Sequence, residues 1–226
     1  IEGALMSIIG SVDTAMVGTL GTAAIAGVGL TSQPRMILLV VAQALCVGTT
    51  AICARRKGAN DQKGANACLN QSMAIITLLG LLMTLAGYFG AEWLMKLAGA
   101  NEDTLEISVS YFKIISLGLL FNCWSLCICA AMRAIGKTRI TMVTNITANL
   151  VNVCLNYVLI NGKLGFPRLG VRGAAIATVC GTFVSCLMAF RFACHKGGYY
   201  HLGLPKFDRT TLQSLGSVGS GSVLES

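Results

Sequence analysis

Six stretches of about 20 mostly apolar residues, separated by short polar gaps, dominate this chain and restrict it to very few folds. They run from Ile1 to about Leu20, from about Met36 to Ala54 behind Pro34, and from Leu69 to Leu94. Three more run from Tyr111 to Met132, Thr141 to Ile160 and Ala174 to Ala193, and a seventh begins near Leu212. A helix crossing a hydrocarbon core of roughly 30 Å needs about 20 such residues. Barrel strands would alternate apolar and polar residues over about ten positions, and that alternation is absent. The expected fold class is therefore all-α integral membrane: a six-helix transmembrane bundle plus the start of a seventh helix. Composition agrees, since only 12% of residues are charged and 54% are apolar, against roughly 25% charged in soluble domains.

The polar gaps carry the topology. The gap after the second run holds Arg55, Arg56, Lys57 and Lys63, and the gap after the fourth holds Arg133, Lys137 and Arg139. Arg191, Lys196, Lys206 and Arg209 follow the sixth, so alternate gaps carry eleven of the 17 basic residues. The opposite gap after the third run holds Glu102, Asp103 and Glu106. The positive-inside rule places the basic gaps in the cytoplasm, with both ends of the chain there and the bundle in the plasma (inner) membrane. The net charge of +8 is thus a topology signal, and it lacks the one-face clustering that a nucleic-acid partner requires. The ten cysteines lie mostly inside apolar runs without any CxxC pair, which points to small packing residues rather than disulfides or zinc. Ile1 already lies within an apolar run that lacks a basic n-region, so the chain is expected to be part of a longer membrane protein and not to start with a signal peptide. Residues 1–193 form the expected bundle, 194–211 a cytoplasmic linker containing Gly197, Gly198 and Pro205, and 212–226 the start of helix seven.

Within the apolar runs, a few polar residues stand out. Asp13 is flanked by Ile8, Ile9, Val12, Met16 and Val17. A carboxylate at a helix centre costs roughly 2.5–3.5 kcal/mol on insertion scales, which suits it to exchange a proton or hold a cation. The alternative is a wetted Asp near the helix end. The fifth run carries Asn145, Asn149, Asn152 and Asn156, and at 100° per residue these fall within an arc of about 60°. Such a stripe faces the bundle interior or a water-filled cavity, where it either binds a ligand or joins helices by hydrogen bonds. Gln43 in the second run reads as one more buried polar residue. Gly173, Ala177 and Gly181 recur every four residues in the sixth run with Thr178 beside them, a spacing that allows close helix approach.

Enzyme signatures are missing. The sequence has no HExxH, no GxSxG and no P-loop, so the function is expected to be transport driven by an ion gradient, not enzymatic and without a cofactor.

Five segments together resemble the multidrug and toxic compound extrusion (MATE) family: Val12–Gly21 (VDTAMVGTLG), Gly48–Gly58 (GTTAICARRKG) with Ala59, Asn60 and Asp61, Arg133–Arg139 (RAIGKTR), Asn152–Ile160 (NVCLNYVLI) and Leu169–Val179 (LGVRGAAIATV). They occur in family order along nearly the whole chain. The resemblance implies the N-terminal lobe of a twelve-helix antiporter that alternates between outward-open and inward-open states. It implies export of cationic or amphipathic small molecules in exchange for Na+ or H+, with a C-terminal lobe of the same chain as partner. The family's helix-one aspartate falls on Asp13. A cation site found in one branch of the family falls on Asn152, Asn156 and Thr178, and the helix-seven glutamate on Glu225. Asn156 departs from that branch, which has Asp there, so the site loses a charge. Gln43 and Asn149 are weaker candidates for a substrate cavity. A lipid-linked oligosaccharide flippase of related architecture is the alternative. It would need several cations in its cavity to meet pyrophosphate, and no Lys or Arg lies deep in a run.

Overall fold

A computed structural model of the chain describes residues 16–162, 165, 167–194 and 199–200. Every regular element among them is helical: α1 (Thr22–Leu30), α2 (Ser32–Gly58), α3 (Gln62–Phe89), α4 (Ala91–Leu97), α5 (Glu102–Ala134), α6 (Thr138–Asn161) and α7 (Gly170–Ala193). Five spans are long and apolar enough to cross a membrane: Thr22–Gly58, Gln62–Phe89, Glu102–Ala134, Thr138–Asn161 and Gly170–Ala193. Of the first apolar run only the helical residues Met16 to Gly18 and the turn after them are described.

The helices differ from the apolar runs in two instructive ways. The third run, expected to reach Leu94, stops at Phe89, and α4 follows as a separate helix. Gly90 breaks it, with φ −86° and ψ 2°. A Cβ there would lie 2.6 Å from the Ala86 carbonyl oxygen, so only glycine fits the break. In α4, Ala91 and Met95 are buried while Trp93 is exposed, as are Tyr88 and Phe89 at the end of α3; exposed aromatic residues at helix ends are of the kind that settle at a membrane–water interface. The acidic residues Glu102 and Asp103, read as loop, are instead the first turn of α5, where they complement the positive end of the helix dipole. At the other sign, Arg55, Arg56 and Lys57 end α2, Arg133 ends α5 and Arg191 ends α7.

The helices distribute over two compact units. The first comprises Ile1–Leu38, Leu82–Leu119 and Asn145–Val184. Its core joins Val17, Ala24, Tyr111, Ile115, Ile160, Ala174 and Ala175, with Met16, Leu20 and Val28 packed against them. A smaller cluster seats Ala91 and Met95 of α4 on Phe112 of α5.

The second unit comprises Leu39–Leu81, Leu120–Thr144 and Ser185–Ser226. Interhelical polar contacts recur in it. The hydroxyls of Thr49 and Ser72 lie 2.8 Å apart, those of Ser125 and Ser185 2.7 Å apart, and Trp124 Nε1 donates to Thr77 Oγ1 at 2.8 Å. Seven of the cysteines are buried here, and all ten in the chain are free thiols, as small apolar packing residues should be. Gln43 corrects its expectation. It lies exposed on α2, because it shares a face with exposed Met36 and Val47 while Ala42 and Cys46 turn inward.

The α2–α3 turn explains the ARRKG-AND segment. Asn60 takes a left-handed φ of 55°, which Asn tolerates better than most residues. Asp61 Oδ1 then accepts the Gly64 N–H at 2.9 Å as the cap of α3, and its Oδ2 pairs with Arg56 at 2.9 Å. The Gly64 N–H, and then Arg56, hold the Asp61 carboxyl below its ordinary value. Folding therefore favours the ionised form, so this contribution is complete above the ordinary carboxylate range and disappears as pH falls through the lowered value. Asp61→Asn is expected to melt below wild type at neutral pH, with the gap closing as pH falls through the lowered carboxylate value. A thermal-melting series in pH checks this.

Candidate functional site

The site is built in the first unit from α6 and α7. These helices approach closely because α7 presents glycine at both ends of its small-residue stripe. A Cβ on Gly173 would lie 2.8 Å from the Leu159 carbonyl oxygen, and one on Gly181 2.8 Å from that of Ala148. Ala177 between them is fully buried. Backbone meets backbone, as four-residue spacing of small residues permits in membrane helices.

Close approach puts the asparagine face of α6 against Thr178. Asn156 Nδ2 donates to Asn152 Oδ1 at 3.2 Å, and Asn152 Nδ2 donates to Thr178 Oγ1 at 3.1 Å. Thr178 Oγ1 in turn donates to the Ala174 carbonyl at 3.0 Å. The three side chains form one directed chain of hydrogen bonds from α6 into α7. Asn156 is fully buried and Asn152 is 9% exposed, so each group is held where water could not replace a lost partner. Asn149 and Asn145, one and two turns earlier on α6, are half-buried.

Chemically the cluster is neutral. It offers amide and hydroxyl oxygens, which coordinate hard cations such as Na+, but none of its three side chains supplies a charge. Asp13 and Glu225, the two carboxylates expected to do so, lie outside the described residues. The segment directly after Asp13 is placed: Met16 and Val17 pack in the core cluster with Ile160 and Ala174. Those two residues stand one helical turn from Asn156 and Thr178 respectively. Gln43 belongs to the second unit. Among the described residues no group of three or more His, Cys, Asp or Glu side chains is arranged to hold a metal.

The sequence pattern marks Asn152, Asn156 and Thr178, which the structure joins by hydrogen bonds; Tyr199 and Tyr200, which the structure ties to the second unit, lie outside that pattern. The only signal for them was an aromatic pair inside an otherwise polar, glycine-containing segment.

Comparison with known proteins gives a consistent picture. The MatE family model matches residues 1–158. The probable multidrug resistance protein NorM of Thermotoga maritima is 32% identical over 184 residues, covering 81% of this chain and 39% of the relative. A multidrug resistance MATE family transporter of the MOP superfamily in an outward-facing conformation superposes with a TM-score of 0.89 at 26% identity, over 99% of this chain and 49% of the other. An inward-facing structure with the same description superposes with a TM-score of 0.87 at 26% identity, over 96% of this chain and 49% of the other. The chain thus spans between about a third and half of the length of the proteins it matches. On the matched residues, the helical architecture and these likenesses together, the chain belongs to the MatE family.

Proposed function

We propose that this chain is the N-terminal lobe of a secondary active multidrug exporter. It moves cationic or amphipathic compounds out across the plasma membrane in exchange for Na+ or H+. The reading rests above all on the buried Asn156–Asn152–Thr178 chain in a lobe of a family whose relatives include a probable multidrug resistance protein. Likeness to both an inward-facing and an outward-facing structure described as MATE family transporters supports alternating access. Both ends of the lobe face the cytoplasm in this reading, with the basic ends of α2, α5 and α7 inside.

Because the cluster is neutral, this reading gives the coupling charge to Asp13. Asn152, Asn156 and Thr178 supply oxygens to a cation or hydrogen bonds to a protonated acid, and Asp13 supplies the negative charge. Glu225 is its counterpart in the other lobe, and Gln43 and Asn149 are the weaker candidates for contacts with substrate. Loading the acid and loading the drug favour different conformations, so each expels the other by differential affinity. The test is accumulation of a fluorescent organic cation in an efflux-deficient bacterium expressing the full-length protein. Lower accumulation that returns to the control level when ionophores collapse the ion gradients is expected. Accumulation equal to the empty host, at verified membrane expression, contradicts the reading.

A further inference from the structure

Tyr199 and Tyr200 follow the end of α7 by six and seven residues, yet three different helices hold them. The Tyr200 side chain is fully buried, and its hydroxyl donates to the Ala131 carbonyl, near the end of α5, at 3.0 Å. Gln62 Nε2, on the first residue of α3, donates to the Tyr199 carbonyl at 2.8 Å. Lys57, near the end of α2, places its Nζ 4.3 Å from the centroid of the Tyr199 ring, within cation–π range. Burial, and then Cys53 beside it, push the Tyr200 phenol well above its ordinary value, so the hydroxyl remains a donor at physiological pH. A buried tyrosine removes roughly 150–250 Å² of surface from water, and here its one polar atom is satisfied. A connecting segment that merely passed over the surface would have no such pocket.

We propose that Tyr199 and Tyr200 are an anchor that fastens the chain leaving α7 to the cytoplasmic end of the second unit. The anchor goes beyond the two-lobe reading above and does not depend on it.

The anchor is tested on the full-length protein in lipid nanodiscs with chymotrypsin, which cuts after aromatic residues. Wild type is expected to resist cutting at Tyr199 and Tyr200. Tyr200→Phe keeps the ring and the cleavage site but loses the hydroxyl, and Gln62→Ala releases the Tyr199 carbonyl. Each is expected to raise cleavage there roughly fivefold, the population change of one lost hydrogen bond, with the melting temperature of the helices unchanged. Wild type cut as fast as a free peptide of the same sequence, or variants cut no faster than wild type, overturns the anchor. If the unmodified protein exports nothing, the transport reading fails while the protease result still decides the anchor.

Discussion

Gly181→Val is expected to lower the thermal stability of the full-length protein sharply. The first carbon of the new side chain would sit 2.8 Å from the Ala148 carbonyl oxygen and 3.2 Å from Asn152 Cβ. Backbone cannot yield as a flexible side chain does, so α7 must move off α6. That movement also breaks the 3.1 Å hydrogen bond from Asn152 to Thr178. Overpacking costs about 1–3 kcal/mol and the lost hydrogen bond about 1 kcal/mol more, so the total is about 2–4 kcal/mol. Gly29→Ala is the control. A Cβ there meets nothing within 4 Å, and the change improves helix propensity in α1. Melting curves of the two variants should therefore move in opposite directions from wild type.

Asn156→Asp is expected to make stability depend on Na+. Asn156 is fully buried and donates to Asn152 Oδ1. A carboxylate in its place turns an oxygen toward that acceptor and brings a charge with no compensating partner in the cluster. An uncompensated buried charge costs on the order of 3–5 kcal/mol, which a bound cation or a proton relieves. At pH 8, raising Na+ to a hundred times its dissociation constant should recover about 2.7 kcal/mol, seen as a rising melting temperature. Wild type, with no charge at that position, should show a smaller rise, since only Asp13 offers a charge to a cation held by the cluster's oxygens. A variant that responds to Na+ no more than wild type would mean that the position lies too far from any cation path to serve one.

Most of the helical plan was legible because a membrane span needs a run of apolar residues that nothing else explains. The α6 stripe was legible for the same reason: four amides on one face of an apolar helix have few places to go. Three features escaped. The break at Gly90 depends on the Ala86 carbonyl, a local backbone contact that hydropathy averages away. Gln43 looked buried because its neighbours in sequence are apolar. Burial on α2 is set by which face meets another helix, and an exposed membrane-facing residue looks as apolar as a buried one. The Tyr199–Tyr200 anchor depends on partners at Lys57, Gln62 and Ala131, and sequence proximity carries no trace of contacts so distant along the chain. The α6–α7 pairing shows the opposite case. Gly173, Ala177 and Gly181 announced a close approach, and only the structure revealed that this approach is what brings Thr178 to Asn152.

The central claim is that a lobe with a neutral Asn152–Asn156–Thr178 cluster takes its coupling charge from Asp13. The most direct measurement is export of a fluorescent cation in an efflux-deficient host, full-length wild type against Asp13→Asn at matched membrane expression. The substitution keeps the size and most of the hydrogen bonding of the side chain and removes only the charge. Gradient-driven export is expected from wild type and a fall to the empty-host level from Asp13→Asn. Export by Asp13→Asn at the wild-type rate, still sensitive to ionophores, would contradict the account and place the coupling charge elsewhere in the protein.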